Sequence, residues 1–245
     1  MQVSVIIPTR DRVHSLSALL DSLDGAEIPD DVSLEVFVVN NGSTDNTAVM
    51  LKKRSELCKG YSLIIREQEL PGKSRALNSA LAEVSGDLVM VLDDDVIVDQ
   101  GCIAKHVEAH RQTGFAAVQG RVLPGKDPEG KSADPRRLSE YNIPYANHGD
   151  EICEIRGVIG TNASFKRAVI ERVGLFDVRL GPGASGFSED TDFSLRMRRA
   201  GFKIGYAPDA VVYHELNPAR YGRAYHRDQQ FRQGMSRSIY RRDSI

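Results

Sequence analysis

Short, mainly apolar runs at residues 3–7, 34–39, 63–65 and 88–92 each stop at a turn former or a polar cluster, and stretches with helical spacing lie between them. Residues 15–23 carry Leu16, Leu19, Leu20 and Leu23 on one helical face. Residues 44–57 and 73–84 read as two more helices, the second opening after Pro71 and Gly72. Strands that are mainly apolar and alternate with helices predict a parallel sheet covered on both faces, over roughly residues 1–115.

The second half is less regular. Residues 116–122 read as a strand, 124–150 as an excursion loop rich in Pro, Gly, Asp and Lys, and 155–166 as one or two strands. Residues 188–200 read as a helix closed by Gly201 and capped by Ser188, followed by strands at 202–206 and 210–214.

Composition narrows the class only a little. The chain has 245 residues, 41% hydrophobic and 27% charged, with a formal charge of −2, which excludes a globally basic nucleic-acid binder. The apolar runs are strand-sized, so no transmembrane helix is expected. The first residues, MQVSVIIPT, lack a basic region and meet Pro8 early, which argues against a signal peptide. Cys58, Cys102 and Cys153 are far apart and odd in number, as in a reduced, cytoplasmic compartment.

The fourth run ends in Asp93, Asp94 and Asp95. In open α/β sheets ligands bind beyond the carboxyl ends of the strands. Adjacent carboxylates there repel one another unless a cation neutralises them, and oxygen ligands suit Mg²⁺ or Mn²⁺ shared with phosphates. The neighbouring strand ends carry Pro8-Thr9-Arg10-Asp11-Arg12, Asn40-Asn41-Gly42-Ser43-Thr44-Asp45, and Gly72-Lys73-Ser74-Arg75 with Asn78. Each cluster alone is also ordinary turn and capping chemistry. Together they can build a pocket for a nucleoside diphosphate. Gly72-Lys73-Ser74 is not a P-loop, because the required earlier glycine is Glu67. No G-x-G-x-x-G follows the first strand, which argues against a nicotinamide cofactor.

Six segments, in order, resemble the family 2 glycosyltransferases of the GT-A fold: VSVIIPTRDR (3–12), VVNNGSTDNT (38–47), GKSRALNSAL (72–81), VLDDDV (91–96), GTNASFKR (160–167) and the stretch 173–215 around GFSEDTDF. The resemblance covers residues 2 to about 214. It implies an α/β fold with a Rossmann-like nucleotide-binding half, residues 1–115, whose central mixed, mostly parallel sheet is flanked by helices. That half is fused to an acceptor and catalytic-base half, residues 116–218. The implied activity is inverting, metal-dependent transfer of a sugar from a nucleotide-diphosphate donor, UDP preferred, to a saccharide or lipid-linked saccharide.

By the same resemblance, Pro8, Thr9, Arg10 and Arg12 line the nucleotide, and Asn41 stands where an acidic residue commonly reads the base. Lys73 is the phosphate-side cation, with Asn78, Asp93 and Asp94 completing the donor pocket. Asp95, Asp93 and His214 are the metal ligands for Mn²⁺ or Mg²⁺. Glu189 and Asp190 match the acidic pair at the start of a helix, with Asp190 as general base and Glu189 positioning the acceptor. A positive helix end favours the ionised carboxylates that a base requires. Gly181, Gly183 and Gly186 suggest a loop that closes over substrates.

From residue 219 to 245 the composition turns basic. Tyr221, Tyr225, Phe231, Met235 and Ile239 fall on about one third of a helical wheel. Such a helix fits peripheral contact with the inner face of a cell membrane, and equally packing on the domain or a partner. Gln229, Gln230, Arg232 and Gln233 partly resemble a processive-synthase signature, but its tryptophan is absent, so transfer of one or a few sugars is expected. Two other classes compete. A sugar-nucleotide pyrophosphorylase would want a glycine-rich loop after strand one. A scaffolding module with the same fold would lack turnover.

Overall fold

The computed structural model describes residues 1–58, 60–127 and 129–242. Strands β1 (Gln2–Thr9), β2 (Ser33–Asn40), β3 (Ser62–Glu67) and β4 (Leu88–Leu92) pair in parallel. Helices α1 (Val13–Asp24), α2 (Thr47–Leu57) and α3 (Lys73–Leu81) form their crossovers. The four leucines that the α1 spacing singles out are all buried. Each contributes about 1.5–3 kcal/mol by leaving water.

The rest of the sheet is woven from later chain. It comprises β5 (Val96–Val98), β6 (Ala117–Pro124), β7 (Cys153–Ile155), β8 (Asn162–Lys166) and β9 (Ile204–His214). The order is β3-β2-β1-β4-β8-β6-β9-β5, with β7 pairing β9. β8 lies antiparallel between β4 and β6, and β9 runs parallel to β6 and antiparallel to β5. One core cluster packs under α1 and α4 (Cys102–Gln112), and the other under α3, α5 (Arg167–Val173) and α6 (Glu189–Arg199).

Several expectations are corrected. Residues 202–206 and 210–214 are one strand, β9, which passes Pro208 with a register shift against β6 between Gly120 and Arg121. Ser188 does not cap α6, since its φ is +76° and its hydroxyl makes no cap hydrogen bond. The third helix stops at Leu81. Helix α4 escaped the sequence reading because its buried face includes His106 and His110, which blur the apolar period. Among the described residues between 125 and 150 the chain is an irregular excursion with a 3₁₀ turn at Pro135–Glu140, and Pro124 ends β6.

After Pro218–Arg220, a 3₁₀ turn, the tail forms α7 (Arg223–Arg242). The last three residues of the expected tail, 243–245, lie outside the described residues. The apolar stripe read from the sequence is split. Phe231 and Met235 are exposed, at 68% and 47%. Tyr225 and Ile239 are half-buried. Toward the domain, Ser236 is buried and its hydroxyl meets that of Ser185 at 2.8 Å.

Candidate active site

Asp93–Asp95 occupy the turn between β4 and β5, and β-register explains what meets them. Val96 pairs with His214, and Pro124 pairs with the same residue from the other side. This sets His214 Nε2 3.2 Å from Asp95 Oδ1. His214 Nδ1 lies 2.7 Å from the Glu215 carbonyl, which can only accept, so Nδ1 carries a proton. Nε2 is the atom left to face the carboxylates. Asp93, Asp95 and His214 bring one ligand atom each within 4.8 Å of one another, the one such cluster among the described residues. Two carboxylate oxygens and an imidazole nitrogen with its outer proton fixed are a donor set that suits a divalent cation.

Side-chain cations balance the carboxylates. Arg12 pairs with Asp95 and lies 3.7 Å from Asp94. Arg220 reaches Asp95 at 3.5 Å. Lys73 pairs with Asp93 and lies 3.5 Å from Glu189. Burial opposes ionisation of Asp95, but His214, Arg12 and Arg220 outweigh it and hold the carboxyl below its ordinary range. Burial likewise opposes the charge on Lys73, but Asp93 and Glu189 raise its pKa above the ordinary value. Asp94 behaves differently. It turns inward to accept from Thr9 Oγ1 at 2.8 Å. Burial and its acidic neighbours push it up to about 7 against the pull of Arg12 and Thr9.

Glu189 and Asp190 open α6 on the far side of Lys73. Their surroundings are apolar, with Leu77, Val91, Val158, Phe165, Phe176 and Phe193 lining the wall. Burial pushes Glu189 up to about 7, with Asp190 adding and Lys73 opposing. Burial also raises Asp190, against Lys73 and the backbone N–H groups of Gly160 and Thr191. Glu189 is buried and Asp190 only half-buried, so Asp190 is the acid a substrate can reach.

One segment joins the two acidic centres. Thr161 Oγ1 donates to Asp93 Oδ2 at 2.7 Å, and the Gly160 N–H points at Asp190 Oδ2 at 3.3 Å. Sequence reading quoted this GTN segment without assigning it a role. Arg220 was missed altogether, and its one signal was a basic residue soon after the last strand.

Other expected residues have different partners. Asn41 is wholly engaged by backbone: Nδ2 donates to the carbonyls of Gln68 and Leu70, and Oδ1 accepts from Gly72 N–H, all at 2.8 Å. It staples the loop that delivers Lys73. Asn78 clamps both backbone groups of Phe176 at 2.8 and 2.9 Å. Pro8 is buried in β1, and Arg10 is exposed beside Asp11. Gly183 lies against Gly72, where a Cβ would come within 2.8 Å of the Gly72 backbone. The 181–186 loop therefore rests directly on the start of α3.

The chain belongs to glycosyl transferase family 2, whose model matches residues 4–174. A probable glycosyltransferase of Bacillus subtilis, YdaM, is 26% identical over 223 residues, covering 87% of this chain and 50% of the relative. The mannosyltransferase PcManGT of Pyrobaculum calidifontis, solved with GDP-Man and Mn²⁺, superposes with a TM-score of 0.71 at 24% identity, covering 99% of this chain and 64% of that one. TarS 1-349 of S. aureus, solved with UDP-GlcNAc, gives 0.66 at 19% identity, covering 90% and 60%. These structures share the GT-A fold with this chain, which spans about half to two thirds of the length of the proteins it matches. Among the described residues, no helix is long and apolar enough to cross a membrane.

Proposed function

We propose that this chain is an inverting, metal-dependent glycosyltransferase that moves a sugar from a nucleoside-diphosphate donor to a hydroxyl of a saccharide or lipid-linked saccharide. The observation that carries the reading is the linkage of a cation-binding cluster to a reachable carboxylate, Asp190, through Lys73 and the Gly160–Thr161 backbone.

Asp93, Asp95 and His214 would hold the divalent cation, and the imidazole would favour Mn²⁺ over Mg²⁺, which prefers all-oxygen octahedral sites. That cation, when bound, stabilises charge on the leaving diphosphate. Lys73, Arg12 and Arg220 supply fixed positive charge around the same phosphates. Asp190 takes the proton from the acceptor hydroxyl, whose oxygen bonds to the anomeric carbon. The bond from that carbon to the diphosphate oxygen breaks, and its electron pair leaves with the diphosphate. Attack from the face opposite the nucleotide inverts configuration. Glu189, buried against Lys73, holds that ammonium group in place and positions the acceptor only through its neighbour Asp190.

The donor pocket comprises Pro8, Thr9, Arg10 and Arg12 with Lys73, Asp93 and Asp94; Asn41 and Asn78 support it by holding loops. UDP is the preferred nucleotide; the solved relatives named above carry UDP-GlcNAc and GDP-Man. The acceptor lies toward the excursion, where Leu138, Ser139, Asn142, Ile143 and Tyr145 line a cleft of about 360 Å³. Residues 1–218 form the transferase domain and 219–245 a basic tail. That tail turns Phe231 and Met235 outward beside its arginines, which suits peripheral contact with an anionic cytoplasmic membrane face.

The test is calorimetric titration of UDP, dTDP and GDP with and without Mn²⁺ against wild type and Asp95→Asn. Metal-dependent binding of one nucleotide, lost in the variant, is the expected result. Absence of binding for all three nucleotides in wild type overturns the reading.

A further inference from the structure

The polar network behind the site has no part in the chemistry above, yet it ends on the segment that touches both acidic centres. Asn162 is fully buried at the start of β8. Its Nδ2 donates to the carbonyls of Arg121 and Ala210 at 3.1 and 2.9 Å, which orients the amide and leaves Oδ1 as acceptor. His106 Nε2 lies 2.9 Å from that oxygen, so it must carry the proton. The neutral ring then accepts at Nδ1 from the Ser164 hydroxyl, 2.8 Å away. With its proton spent there, Ser164 Oγ accepts from His110 Nε2 at 2.8 Å. One proton arrangement therefore satisfies the chain, running His110 to Ser164 to His106 to Asn162. His110 Nδ1, 3.3 Å from the Phe115 carbonyl, is the one contact this arrangement leaves without a proton.

The fold is shaped to admit this amide. A Cβ on Gly120 would collide with Asn162 Nδ2 and the Ala210 carbonyl, so glycine stands where β6 and β9 shift register. Gln119 secures the same segment at both ends: Oε1 accepts from Ile159 N–H at 2.6 Å and Nε2 donates to the Asn162 carbonyl at 3.0 Å. His106 and His110 stand one turn apart on α4, while Asn162 and Ser164 share one face of β8, so the network is a contact between helix and sheet.

We infer that Asn162 is a positioning residue: held from behind by the His110–Ser164–His106 chain, it sets the spacing of Thr161 and Gly160, and through them of Asp93 and Asp190. This rests on the transferase reading for its functional consequence and on the hydrogen-bond geometry for its structural part. A segment loosened here displaces the cation ligand and the base together. Burial holds both imidazoles in the neutral form, which is the form the chain uses.

The experiment has two readouts. Nitrogen NMR of the histidine side chains in the wild-type protein reads tautomers without any ligand. His106 is expected as the neutral Nε2–H form; an Nδ1–H tautomer, or an imidazolium at neutral pH, overturns the chain. The second readout compares His106→Gln, whose amide reaches the Nε2 position and can donate to Asn162, with His106→Asn, whose amide reaches only the Nδ1 position. Mn²⁺ binding is followed by electron paramagnetic resonance with UDP present, and melting temperature is recorded alongside. His106→Gln is expected within about twofold of wild type and His106→Asn about tenfold weaker at a similar melting temperature. Equal affinities in the two variants overturn the positioning role. Wild type that binds no Mn²⁺ with UDP, GDP or dTDP overturns the transferase reading and the positioning role with it, and leaves the tautomer result to judge the chain by itself.

Discussion

His214 and Asp95 face each other across the seam of β5 and β9, with Nε2 and Oδ1 3.2 Å apart and the outer nitrogen already bonded to a carbonyl. Charge sharing within this pair keeps the carboxylate ionised and raises the imidazole above its ordinary value, although burial alone would lower it. A cation that takes Nε2 must displace its proton, so Mn²⁺ affinity rises with pH. Asp95→Asn and His214→Ala are each expected to weaken Mn²⁺ binding by about tenfold or more, read by calorimetry at constant pH. Wild-type affinity in either variant removes that residue from the ligand set.

Activity should fall on the acid side earlier than an ordinary carboxylate base allows. Burial raises both Glu189 and Asp190, and Glu189 reaches about 7. A base works ionised, so raising its pKa moves the acid limb of kcat/KM to higher pH. With Asp190 as the base, the limb is expected above pH 3.8, the ordinary aspartate value. Lys73→Met removes the charge that favours ionisation and should move it higher still. A limb at the ordinary carboxylate position would show that neither acid governs the rate.

Gly183 tests the seat of the loop. It holds φ at +83° and touches the Gly72 backbone. Gly183→Ala meets both strain and a collision. A loss of about 1–3 kcal/mol in urea unfolding is expected. Donor turnover should fall as well, because Lys73 N–H donates to the Pro182 carbonyl beside it.

Acid stability follows from the buried histidines. Burial depresses His106 to about 4 and His110 to about 3, the latter also against His106 and Lys166. The unfolded chain takes up protons first, near pH 6.5, so this stabilisation is complete above pH 6.5 and is lost as pH falls toward 3. At about 1.4 kcal/mol per pKa unit it amounts to several kcal/mol. Melting temperature should drop steadily below pH 6.5, and His110→Gln should flatten that slope. An unchanged slope would mean His110 is not buried neutral.

The tail makes a prediction about lipid. Wild-type protein is expected to sediment with phosphatidylglycerol vesicles at low salt and to be released at high salt, since each arginine near such a surface contributes about 1 kcal/mol. Phe231→Ser with Met235→Ser should abolish sedimentation while leaving nucleotide affinity intact. Binding to uncharged phosphatidylcholine vesicles would point to a different contact.

The first half of the sheet was legible because its strands are dominated by aliphatic residues and α1 repeats leucine at helical spacing. The acidic turn was legible for an electrostatic reason: three adjacent carboxylates invite a cation. The partners of those carboxylates were harder to read. Arg220 and Thr161 meet Asp95 and Asp93 only through pairings made across much of the chain, and no local pattern encodes them. Asn41 shows the opposite difficulty. Its position at a strand end suggests a ligand contact, while its amide is consumed by the backbone of the next loop. Helix α4 stayed hidden because its inner face is part histidine, and hydrophobic periodicity does not register a buried polar network.

β9 lies inside the sheet, between β6 and β5, although it is the last strand to be made. A chain emerging from the ribosome therefore has its nucleotide-side strands, its aspartates and even its acidic helix before it has the strand that carries His214. Pairing across that sequence distance is slow compared with forming local hairpins and helices. His214 is thus the last of the three clustered side chains to be laid down, and the Asp93–Asp95–His214 geometry exists only once β9 has paired between β6 and β5.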